Sequence, residues 1–427
     1  SRVIPHKFRQ LPPAFHLDAE RRFIINNTDS KVFRYLINGS RMNWRAEFET
    51  GNDEEDAMYQ AQNRFTPYGH RLTAEQQYEQ VMSLVNKIYT YGYLLHHFKK
   101  DDMAKCVWIM ESKMTNEDES SGGSGKSLFM RILHYLQLAN IVTLDGRDGD
   151  MTKNNHFLDR VNSNTDILFI DDAAKNFPFE AFYGKITGQL TINPKGSQSF
   201  EIDYRNSPHT VISSNFPWKG DDRSTLRRLI PVVFSDYYHE QGQDGEYRET
   251  RKVSSDFDGQ NLFGHDYTED DYNADYNFMI NCLQFYLANQ DTTILPCLDK
   301  VMQRVRYNMM GDTFKNWADT YFAQDPDNPN ENLDHLLVKQ NVYDDYCSEL
   351  GKTGKSKSSQ SFKVALKLYC KEKGWVFCPP EMLGYDTEKQ RATRNLLIGA
   401  RRKSVELIYI QTDTNKPVNN SLPVDWM

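Results

Sequence analysis

The sequence predicts an α/β fold in which a parallel β-sheet is covered by helices on both faces. Four short apolar runs have the length and the β-branched content of buried strands, namely CVWIM (106–110), NIVTLD (140–145), DILFID (166–171) and HTVISS (209–214). Helical or turn-rich connections separate these runs, and the first connection contains GKSLFMRILHYLQL, an amphipathic helix pattern. Alternation of strand and helix favours a parallel sheet, because parallel neighbours need a crossover connection.

Composition limits the class of protein. At 427 residues the chain is long enough for two or three domains. Hydrophobic content of 39% and charged content of 26% are ordinary for a soluble protein, and we expect no membrane contact. The six cysteines contain no CxxC pair, which predicts reduced thiols in an intracellular protein. Because the first residue is Ser and no leader follows, we expect a piece cut from a longer polypeptide.

Hydrophobic periodicity and clusters of turn-forming residues predict five segments. They are an N-terminal region of unassigned role (1–72), a helical collar (73–105), an α/β core (106–240), a helical extension (241–325) and a C-terminal domain (335–427). KVFRYLI-NG-SRMNW predicts a hairpin with Asn38 and Gly39 as its turn. Thr73 with Gln76 predicts a capping box at the start of a helix. The run AQDPDNPNENLD (323–334) predicts a domain boundary.

The sequence SSGGSGKS (120–127) lies between the first strand and the first helix of the core, as a phosphate-binding P-loop does. We expect Lys126 to reach the β/γ-phosphates of ATP and the Ser127 hydroxyl to bind Mg²⁺. The backbone around the phosphates would come from Gly122, Gly123, Ser124 and Gly125. Ser120 stands where the pattern has its first glycine, and a Gly/Ser surface loop is the alternative. A similar GKTGKS (351–356) follows a helix-like segment, so we expect no nucleotide there.

Polar residues follow the next two strands. Asp171 and Asp172 end the strand DILFID, where Asp171 would hold Mg²⁺ and Asp172 would orient or deprotonate the attacking water. Asn215 follows HTVISS, where its amide would contact the γ-phosphate or the water. The alternatives are a solvated turn for the two acids and an ordinary turn residue for Asn215.

Basic residues precede the next apolar strand. Arg223, Arg227 and Arg228 would each be able to neutralise transition-state charge on a neighbouring subunit's γ-phosphate, although surface arginines are common. LTINPKGSQSFEID (190–203) predicts a hairpin with Lys195 near its tip, suited to gripping a phosphate backbone. A decorative hairpin with a solvated lysine is the alternative.

The C-terminal tail is basic within an acidic chain. Residues 351–403 hold 13 Lys or Arg against four Asp or Glu, a net charge of +9, whereas the whole chain carries −8. The tail is predicted to form two helices, HLLVKQNVYDDYCSEL (335–350) and SSQSFKVALKLYCKEKG (358–374), followed by a two-stranded ribbon, RNLLIGARRKSVELIYIQTD (394–413). This order predicts a winged-helix domain. We expect DNA contacts from the second helix and from the ribbon, through Lys363, Lys367, Lys371, Arg401, Arg402 and Lys403. A solvated charged face is the alternative.

The order of these motifs resembles that of superfamily 3 helicases, and more closely that of poxvirus-type and phage-type primase-helicases. KIYTYGYLLHHFKK (87–100), SSDFDGQNLF (254–263) and DYNFMINCLQFYL (275–287) also look like the phage and mobile-element group. The resemblance covers roughly residues 75–325 and, more loosely, the tail. Ser120 and the long loop before it depart from the family pattern.

The resemblance implies an AAA+-like P-loop ATPase core that forms a hexameric ring, binds ATP and Mg²⁺ between subunits and draws single-stranded DNA through its pore. By position it implies Walker A roles for Lys126 and Ser127, Walker B roles for the two aspartates and a sensor role for Asn215. It also implies that Lys195 is the pore lysine, and it favours Arg227 over Arg228 as the arginine finger. The resemblance further implies a primase domain or partner. It also implies a location in the cytoplasm of a bacterial or phage-infected cell.

Two other classes of function stay open. One is a P-loop ATPase that remodels protein or acts as a defence switch without unwinding a duplex. The other is a non-catalytic DNA-binding scaffold, which the complete set of Walker residues disfavours.

Overall fold

A computed structural model of the chain describes residues 8–99, 103–112, 123–148, 151–175, 177–219, 223–241, 247–325, 327, 330–349, 358–398 and 401–422. Contacts divide the chain into two compact units, Ser1–Val301 and Met302–Met427. The first unit contains a parallel sheet with helices. The second contains a smaller antiparallel sheet with helices.

The first unit opens with small elements that precede the parallel sheet. They are β1 (Phe15–Leu17), β2 (Phe23–Ile25), α1 (Lys31–Asn38), α2 (Trp44–Phe48), α3 (Asp53–Gln62) and α4 (Ala74–Leu95). β1 and β2 form an antiparallel pair with Phe15 opposite Ile25. The aromatic residues of this region join the main hydrophobic core of the unit, so the N-terminal region is part of that unit's packing.

Lys31–Asn38 form the helix α1 and Trp44 begins α2 where the sequence predicted a hairpin, so that prediction is wrong. Ser30 caps α1, because its hydroxyl accepts a hydrogen bond from the Phe33 N–H. Val32 and Leu36, which are four residues apart and so share one face of the helix, are buried in the core. Gly39, the expected turn residue, has φ −64°, so it does not adopt the left-handed backbone that an Asn-Gly hairpin turn requires.

The predicted helix after Thr73 is α4, and its capping box is confirmed. The Thr73 hydroxyl accepts from the Gln76 N–H, and the Gln76 side-chain oxygen accepts from the Thr73 N–H. α4 packs against α8 (Glu269–Ala288), which lies in the predicted helical extension. At Gly92 the two backbones are so close that a Cβ atom would lie 2.2 Å from the Cys282 carbonyl oxygen. A glycine is therefore required at this crossing.

The parallel sheet and its connections occupy residues 106–234. In chain order they are β3 (Cys106–Glu111), α5 (Lys126–Tyr135), β4 (Ile141–Asp145), β5 (Ile167–Ala173), α6 (Tyr183–Thr187), β6 (Leu190–Ile192), β7 (Phe200–Ile202), β8 (His209–Ser214), α7 (Arg223–Leu226) and β9 (Leu229–Phe234). Five of these strands form one sheet in the order β4-β5-β8-β3-β9, and every pair is parallel. The predicted α/β fold with a parallel sheet is confirmed.

Burial on both faces of the sheet explains why its strands could be predicted from the sequence. Every residue of β3, β8 and β9 is buried. Val107 joins Phe129 of α5 in the main core, whereas Trp108 packs against Trp218 and Phe179. A strand covered on both faces reads as a continuous apolar run rather than an alternating one.

The second unit begins within α9 (Leu298–Met310), at Met302. Its elements are α10 (Asp312–Tyr321), β10 (Leu336–Val338), α11 (Lys339–Glu349), α12 (Ser359–Lys373), β11 (Val376–Phe377), β12 (Tyr385–Asp386), β13 (Arg391–Ile398) and β14 (Arg401–Gln411). The strands form an antiparallel sheet in the order β10-β14-β13-β12, with β11 also paired to β14. The second tail helix and the two-stranded ribbon lie where the sequence predicted them.

The boundary predicted at 323–334 lies inside the second unit. α10 precedes that segment, yet its Phe314 and Trp317 pack against Phe362 of α12 in the core of the second unit. The first predicted tail helix also differs, because its opening residues form β10 instead. The boundary predicted from the polar linker at 323–334 therefore does not coincide with the division between the two units, which lies between Val301 and Met302.

Two further observations concern thiols and apolar helices. All six cysteines are free, and Cys106, Cys282, Cys370 and Cys378 are buried. Among the residues that the structure describes, no helix combines the length and the apolar character that crossing a membrane requires.

Candidate functional site

Three neighbouring strands bring most of the predicted core residues to one edge of the parallel sheet. β8 lies between β3 and β5, and all three run in the same direction. The carboxyl ends of parallel strands meet at one edge, which is where α/β proteins bind ligands. Asn215 directly follows β8, so it lies between the loop after β3 and the two acids at the end of β5, Asp171 and Asp172.

The loop in front of α5 has the backbone of an anion-binding turn. Gly125 is the N-cap residue of α5 and has φ 88°, a left-handed conformation that favours glycine. Gly123 has φ 104°. Gly125 has no side chain to cap this helix, and the N–H groups at the start of a helix favour an anion. Ser127 is the second residue of α5, and Gly122 lies outside the described residues.

Lys126 lies among three polar groups at this edge. Its ammonium group donates to the Asn215 side-chain oxygen at 2.7 Å and to the Glu111 carboxylate. The Ser124 hydroxyl donates to the same Glu111 oxygen at 2.8 Å. Glu111 is the last residue of β3 and is only 3% exposed. The structure thus brings Lys126, Ser124 and Asn215 together around a carboxylate that sequence reasoning missed.

β5 is irregular where its two acids lie. The pairing with β8 shifts register between Ile170 and Ala173, and Asp172 has φ 55°. A bulge of this kind changes the direction of side chains and is common beside functional sites. The Ser213 hydroxyl donates to the Asp171 carboxylate at 2.6 Å and accepts from the Asp172 N–H at 3.0 Å. One serine of β8 therefore fixes both acidic residues.

The oxygen atoms at this edge of the sheet are suitable ligands for Mg²⁺. In nucleotide sites Mg²⁺ takes one or two carboxylates together with phosphate oxygens and water. The Asp171 carboxylate and the Ser127 hydroxyl are half-buried and offer oxygen ligands of that kind. In the part of the chain that the structure describes, no cluster of three or more His, Cys, Asp or Glu residues is arranged to hold a metal.

A residue of the N-terminal region supports the same loop. The Tyr35 hydroxyl donates to the Gly125 carbonyl oxygen at 2.9 Å. The Tyr35 ring lies beneath the turn, because a Cβ atom on Gly125 would be 3.1 Å from it. Burial raises the pKa of the Tyr35 phenol well above its usual value, so the hydroxyl keeps its proton. No motif in the sequence pointed to this residue.

The arginines before β9 lie at the opposite edge of the sheet. β9 is parallel to β3, with Leu229 opposite Cys106 at the amino end and Phe234 opposite Glu111 at the carboxyl end. Five residue steps at about 3.3 Å each separate the two edges by roughly 17 Å. Arg227, two residues before β9, is therefore remote from the glycine loop of its own chain.

Arg227 and Arg228 differ in their surroundings. Arg228 donates to the Ser224 carbonyl and hydroxyl oxygens, both at 2.7 Å, and its guanidinium lies 4.6 Å from the centre of the Tyr183 ring. The Arg227 side chain is exposed, and among the described residues it has no side-chain partner. Arg223, at the start of α7, is also exposed. Of the consecutive pair, Arg227 is the one free to reach another molecule.

The predicted hairpin is present and is anchored to the first unit. β6 and β7 pair antiparallel with Leu190 opposite Ile202. Both residues are buried in a small cluster with Leu168 of β5. Lys195 lies in the turn between the strands and is exposed. The hairpin is therefore a fixed support for an exposed lysine.

The lysines of α12 are not equivalent. Lys363 is half-buried and donates to the Glu406 carboxylate of β14 at 2.5 Å, and Lys339 of α11 donates to the same carboxylate at 3.0 Å. Lys367 and Lys371 are exposed. Lys363 thus belongs to an ion cluster that joins two helices to the sheet, and the outer face of α12 presents the other two lysines.

The basic residues of the ribbon point to opposite sides of it. Lys403 is opposite Leu396 and Arg402 is opposite Leu397 in the antiparallel pairing. Successive side chains of a strand alternate between its two faces, so Arg402 and Lys403 lie on opposite faces of the ribbon. Arg402 and Lys403 are exposed, and the Arg401 side chain lies outside the described part. The ribbon offers positive charge on both faces.

No family model matches the chain, and no curated protein matches it. Among solved structures, it is similar to the A-form apo structure of the NrS-1 C-terminal region, with 12% identity and a TM-score of 0.37 over 94% of this chain and 83% of that one. A second structure, of residues 305–718 of NrS-1, gives 13% identity and a TM-score of 0.35 over 93% and 82%. Likeness at this level assigns no function.

Proposed function

We propose that the first unit is a P-loop ATPase with an AAA+-like core, and that the protein uses ATP to move along single-stranded DNA as a hexameric helicase. The ATPase proposal rests on one observation, the meeting of Lys126, Asn215 and the two acids of β5 at the carboxyl edge of the sheet. An AAA+-like core is supported by the strand order, because the strand that ends at Asn215 separates the strand leading to the glycine loop from the strand that carries Asp171.

Each residue then has a defined role toward ATP. Lys126 and the N–H groups of the loop bind the β/γ-phosphates. Mg²⁺, held by Asp171 and Ser127, would neutralise charge on the phosphate oxygens. Asp172 orients the attacking water or accepts its proton, and the left-handed backbone at this residue aims its carboxylate. Asn215, which contacts Lys126, would touch the γ-phosphate or the water.

An oligomer is needed to complete this site. Hydrolysis builds negative charge on the γ-phosphoryl oxygens, and an arginine from a neighbouring subunit would neutralise it. Arg227 suits this role, because it is exposed and lies at the far edge of the sheet from its own glycine loop. The proposed ring places the Arg227 of one subunit at the nucleotide of the next.

Contacts with DNA are assigned to two surfaces. Lys195, on its anchored hairpin, would grip the phosphate backbone in the pore. The second unit has helix, strand, two helices and a two-stranded ribbon in the order of a winged helix, which supports that assignment. Its exposed Lys367, Arg402 and Lys403 would contact phosphates.

The decisive experiment is ATP hydrolysis measured with and without single-stranded DNA. We expect hydrolysis that DNA stimulates and that Lys195→Ala makes insensitive to DNA. Hydrolysis that never responds to DNA would favour the remodelling or switch function instead. The inactive control is Lys126→Ala combined with Glu111→Gln, because the second change avoids leaving the buried Glu111 charge without its lysine.

A further inference from the structure

The last residue of β3 holds two residues of the glycine loop at once. One oxygen of the Glu111 carboxylate accepts from the Ser124 hydroxyl at 2.8 Å and from the Lys126 ammonium group. Lys126 is 11% exposed at its side chain and Glu111 is 5% exposed at its side chain, so the pair is shielded from solvent. The cation that would bind phosphate is therefore already bound to a carboxylate within the protein.

A phosphate group has to compete with this carboxylate. Lys126 has three N–H donors and uses one on Glu111 and one on Asn215. Two anions close to one another in a shielded site repel strongly, because little water screens them. Binding of a phosphate at Lys126 thus opposes the negative charge of Glu111, and either the carboxylate or the lysine has to give way.

We propose that Glu111 is a latch that competes with phosphate for Lys126 and so weakens the binding of nucleotides whose phosphates reach this lysine. The inference deepens the proposed ATPase function and rests on it. The latch holds Ser124 and Lys126 at the end of β3 when no nucleotide is bound. Its release also frees the Ser124 hydroxyl, so the two loop residues change partners together.

Charge is what distinguishes a latch from a simple structural anchor. Glu111→Gln keeps a side-chain oxygen that accepts from Ser124 and Lys126, but it removes the negative charge. If Glu111 only anchors the loop, this substitution leaves nucleotide affinity unchanged or lowers it. If Glu111 is a competitor, the substitution raises affinity.

The test compares Glu111→Gln with Glu240→Gln in the full chain. Glu240 is near the same loop, since its Cγ atom lies 3.5 Å from the position of a Cβ on Gly123, but it is 69% exposed at its side chain. We expect Glu111→Gln to lower the dissociation constant for ATP with Mg²⁺ at least about fivefold. Glu240→Gln should change it less than about twofold, because solvent screens that charge. The affinity for AMP should stay constant in both variants, because its phosphate does not reach Lys126.

A second measurement tests the contact without nucleotide. Lys126→Ala should lower the melting temperature, and adding Glu111→Gln to that variant should restore part of the loss. Restoration together with the gain in ATP affinity supports the latch. Unchanged or weaker ATP binding by Glu111→Gln, while the parent binds ATP, overturns the latch and leaves the proposed function standing.

The remaining outcomes are also distinct. If neither the parent nor Glu111→Gln binds ATP, both the proposed function and the latch fail. If Glu111→Gln nevertheless restores part of the melting temperature lost in Lys126→Ala, the pair is a structural ion pair. If the double variant melts no higher than Lys126→Ala, Glu111 and Lys126 are not coupled and the latch is overturned.

Discussion

The Tyr35 hydroxyl donates a hydrogen bond to the Gly125 carbonyl oxygen, so the N-terminal region directly supports the loop in front of α5. The ring fills the space beneath the turn, next to Phe234 and Tyr238. Gly125 adopts its left-handed backbone without strain, and the hydrogen bond from Tyr35 fixes the position of its carbonyl group. The N-terminal region, which the sequence left without a role, is thereby connected to the candidate nucleotide site.

Tyr35→Phe should weaken nucleotide binding several-fold and lower the free energy of unfolding by about 1 kcal/mol, because one buried hydrogen bond is lost. Isothermal titration with ATP and denaturant unfolding would measure the two effects. Tyr91→Phe is a matched control, since the Tyr91 hydroxyl donates to the Phe129 carbonyl oxygen of α5 at the same distance of 2.9 Å. The control should lose similar stability and keep its affinity for ATP. Equal affinities in both variants would contradict the supporting role of Tyr35.

The sheet and the motifs on it were predictable because the signals for them are local. Strands buried on both faces must be apolar throughout, and a glycine-rich loop must precede the helix that it caps. The helix α1 was not predicted, because the Asn38-Gly39 pair is typical of a hairpin turn. The Ser30 cap and the helical spacing of the apolar residues indicate a helix instead. The competing signals were both present, and packing against the core decided between them.

The partners of the site residues were not predictable from local patterns. Tyr35 and Gly125 are 90 residues apart, and Lys126 and Asn215 are 89 apart, so only the packing of the sheet brings them together. Glu111 offered one signal, an acidic residue at the end of a buried strand that leads into the glycines. A buried charge needs a partner, but the segment after β3 contains Lys113 as well as Lys126, so the sequence did not identify Lys126 as that partner.

Asp172→Asn should keep ATP binding and lose turnover, whereas Asp171→Asn should lose the dependence of binding on Mg²⁺. Asn tolerates the left-handed backbone of Asp172, so the fold should be retained. Binding and hydrolysis measured across a range of Mg²⁺ concentrations separate the two effects. Asp145→Asn is the control, because Asp145 ends the neighbouring strand and is exposed. Identical losses of binding in both test variants would refute this division of roles.

Asp275 predicts a specific dependence of stability on pH. Burial raises its pKa to about 6, although hydrogen bonds from Tyr267, Ser30 and the Val32 N–H oppose that rise. Between about pH 4 and pH 6 the folded protein keeps this proton and the unfolded chain has lost it, so the contribution of Asp275 to stability falls as pH rises. A shift of this size corresponds to about 3 kcal/mol.

Asp275→Asn removes this titration while keeping a similar shape. Its free energy of unfolding, minus that of the parent, should increase by about 3 kcal/mol between pH 4 and pH 6 and then stay level. Urea unfolding of both proteins at intervals of half a pH unit would measure this difference, and other titrating groups cancel in it. A difference that does not vary over this range would show that Asp275 does not titrate there.

A fragment of residues 302–427 should fold alone and bind single-stranded DNA, whereas a fragment that begins at residue 335 should not fold. The shorter fragment lacks α10, whose Phe314 and Trp317 are buried in the core of the second unit. Circular dichroism and thermal melting of the two fragments would test this. Cooperative melting of the shorter fragment would contradict the role given to α10.

DNA binding by the longer fragment should fall steeply with salt, because phosphate contacts release counterions. Lys367→Ala should reduce the slope of log affinity against log salt by about 0.7, as expected for one lost phosphate contact on a single strand. Lys363→Ala should mainly lower stability, because Lys363 is bound to Glu406. Salt-independent binding would mean that the lysines of α12 form only a solvated face.

Arg227→Ala should be nearly inactive, because an arginine supplied across a subunit interface is worth ~10³ or more in the rate of phosphoryl transfer. The amino end of β9, two residues after Arg227, lies roughly 17 Å along the sheet from the edge at which β3 ends, so we expect Arg227 not to reach the phosphates of its own subunit. Arg228→Ala should instead lose packing on Tyr183 and some stability, since its guanidinium is bound within the chain.

Mixing two inactive proteins tests whether Arg227 acts in trans. The double variant Lys126→Ala, Glu111→Gln has an intact Arg227 but no functional glycine loop. Arg227→Ala has an intact glycine loop but no arginine at this position. In a mixed ring, some interfaces therefore combine the intact loop of one subunit with the intact arginine of its neighbour. Hydrolysis should therefore reappear on mixing at concentrations that form rings, and it should peak near equal amounts of the two proteins. The same mixture with Arg223→Ala in place of Arg227→Ala is the control for the other exposed arginine. If both variants assemble with the parent protein and no mixture restores hydrolysis, Arg227 does not act across the interface, because every mixed ring contains at least one interface with both parts intact.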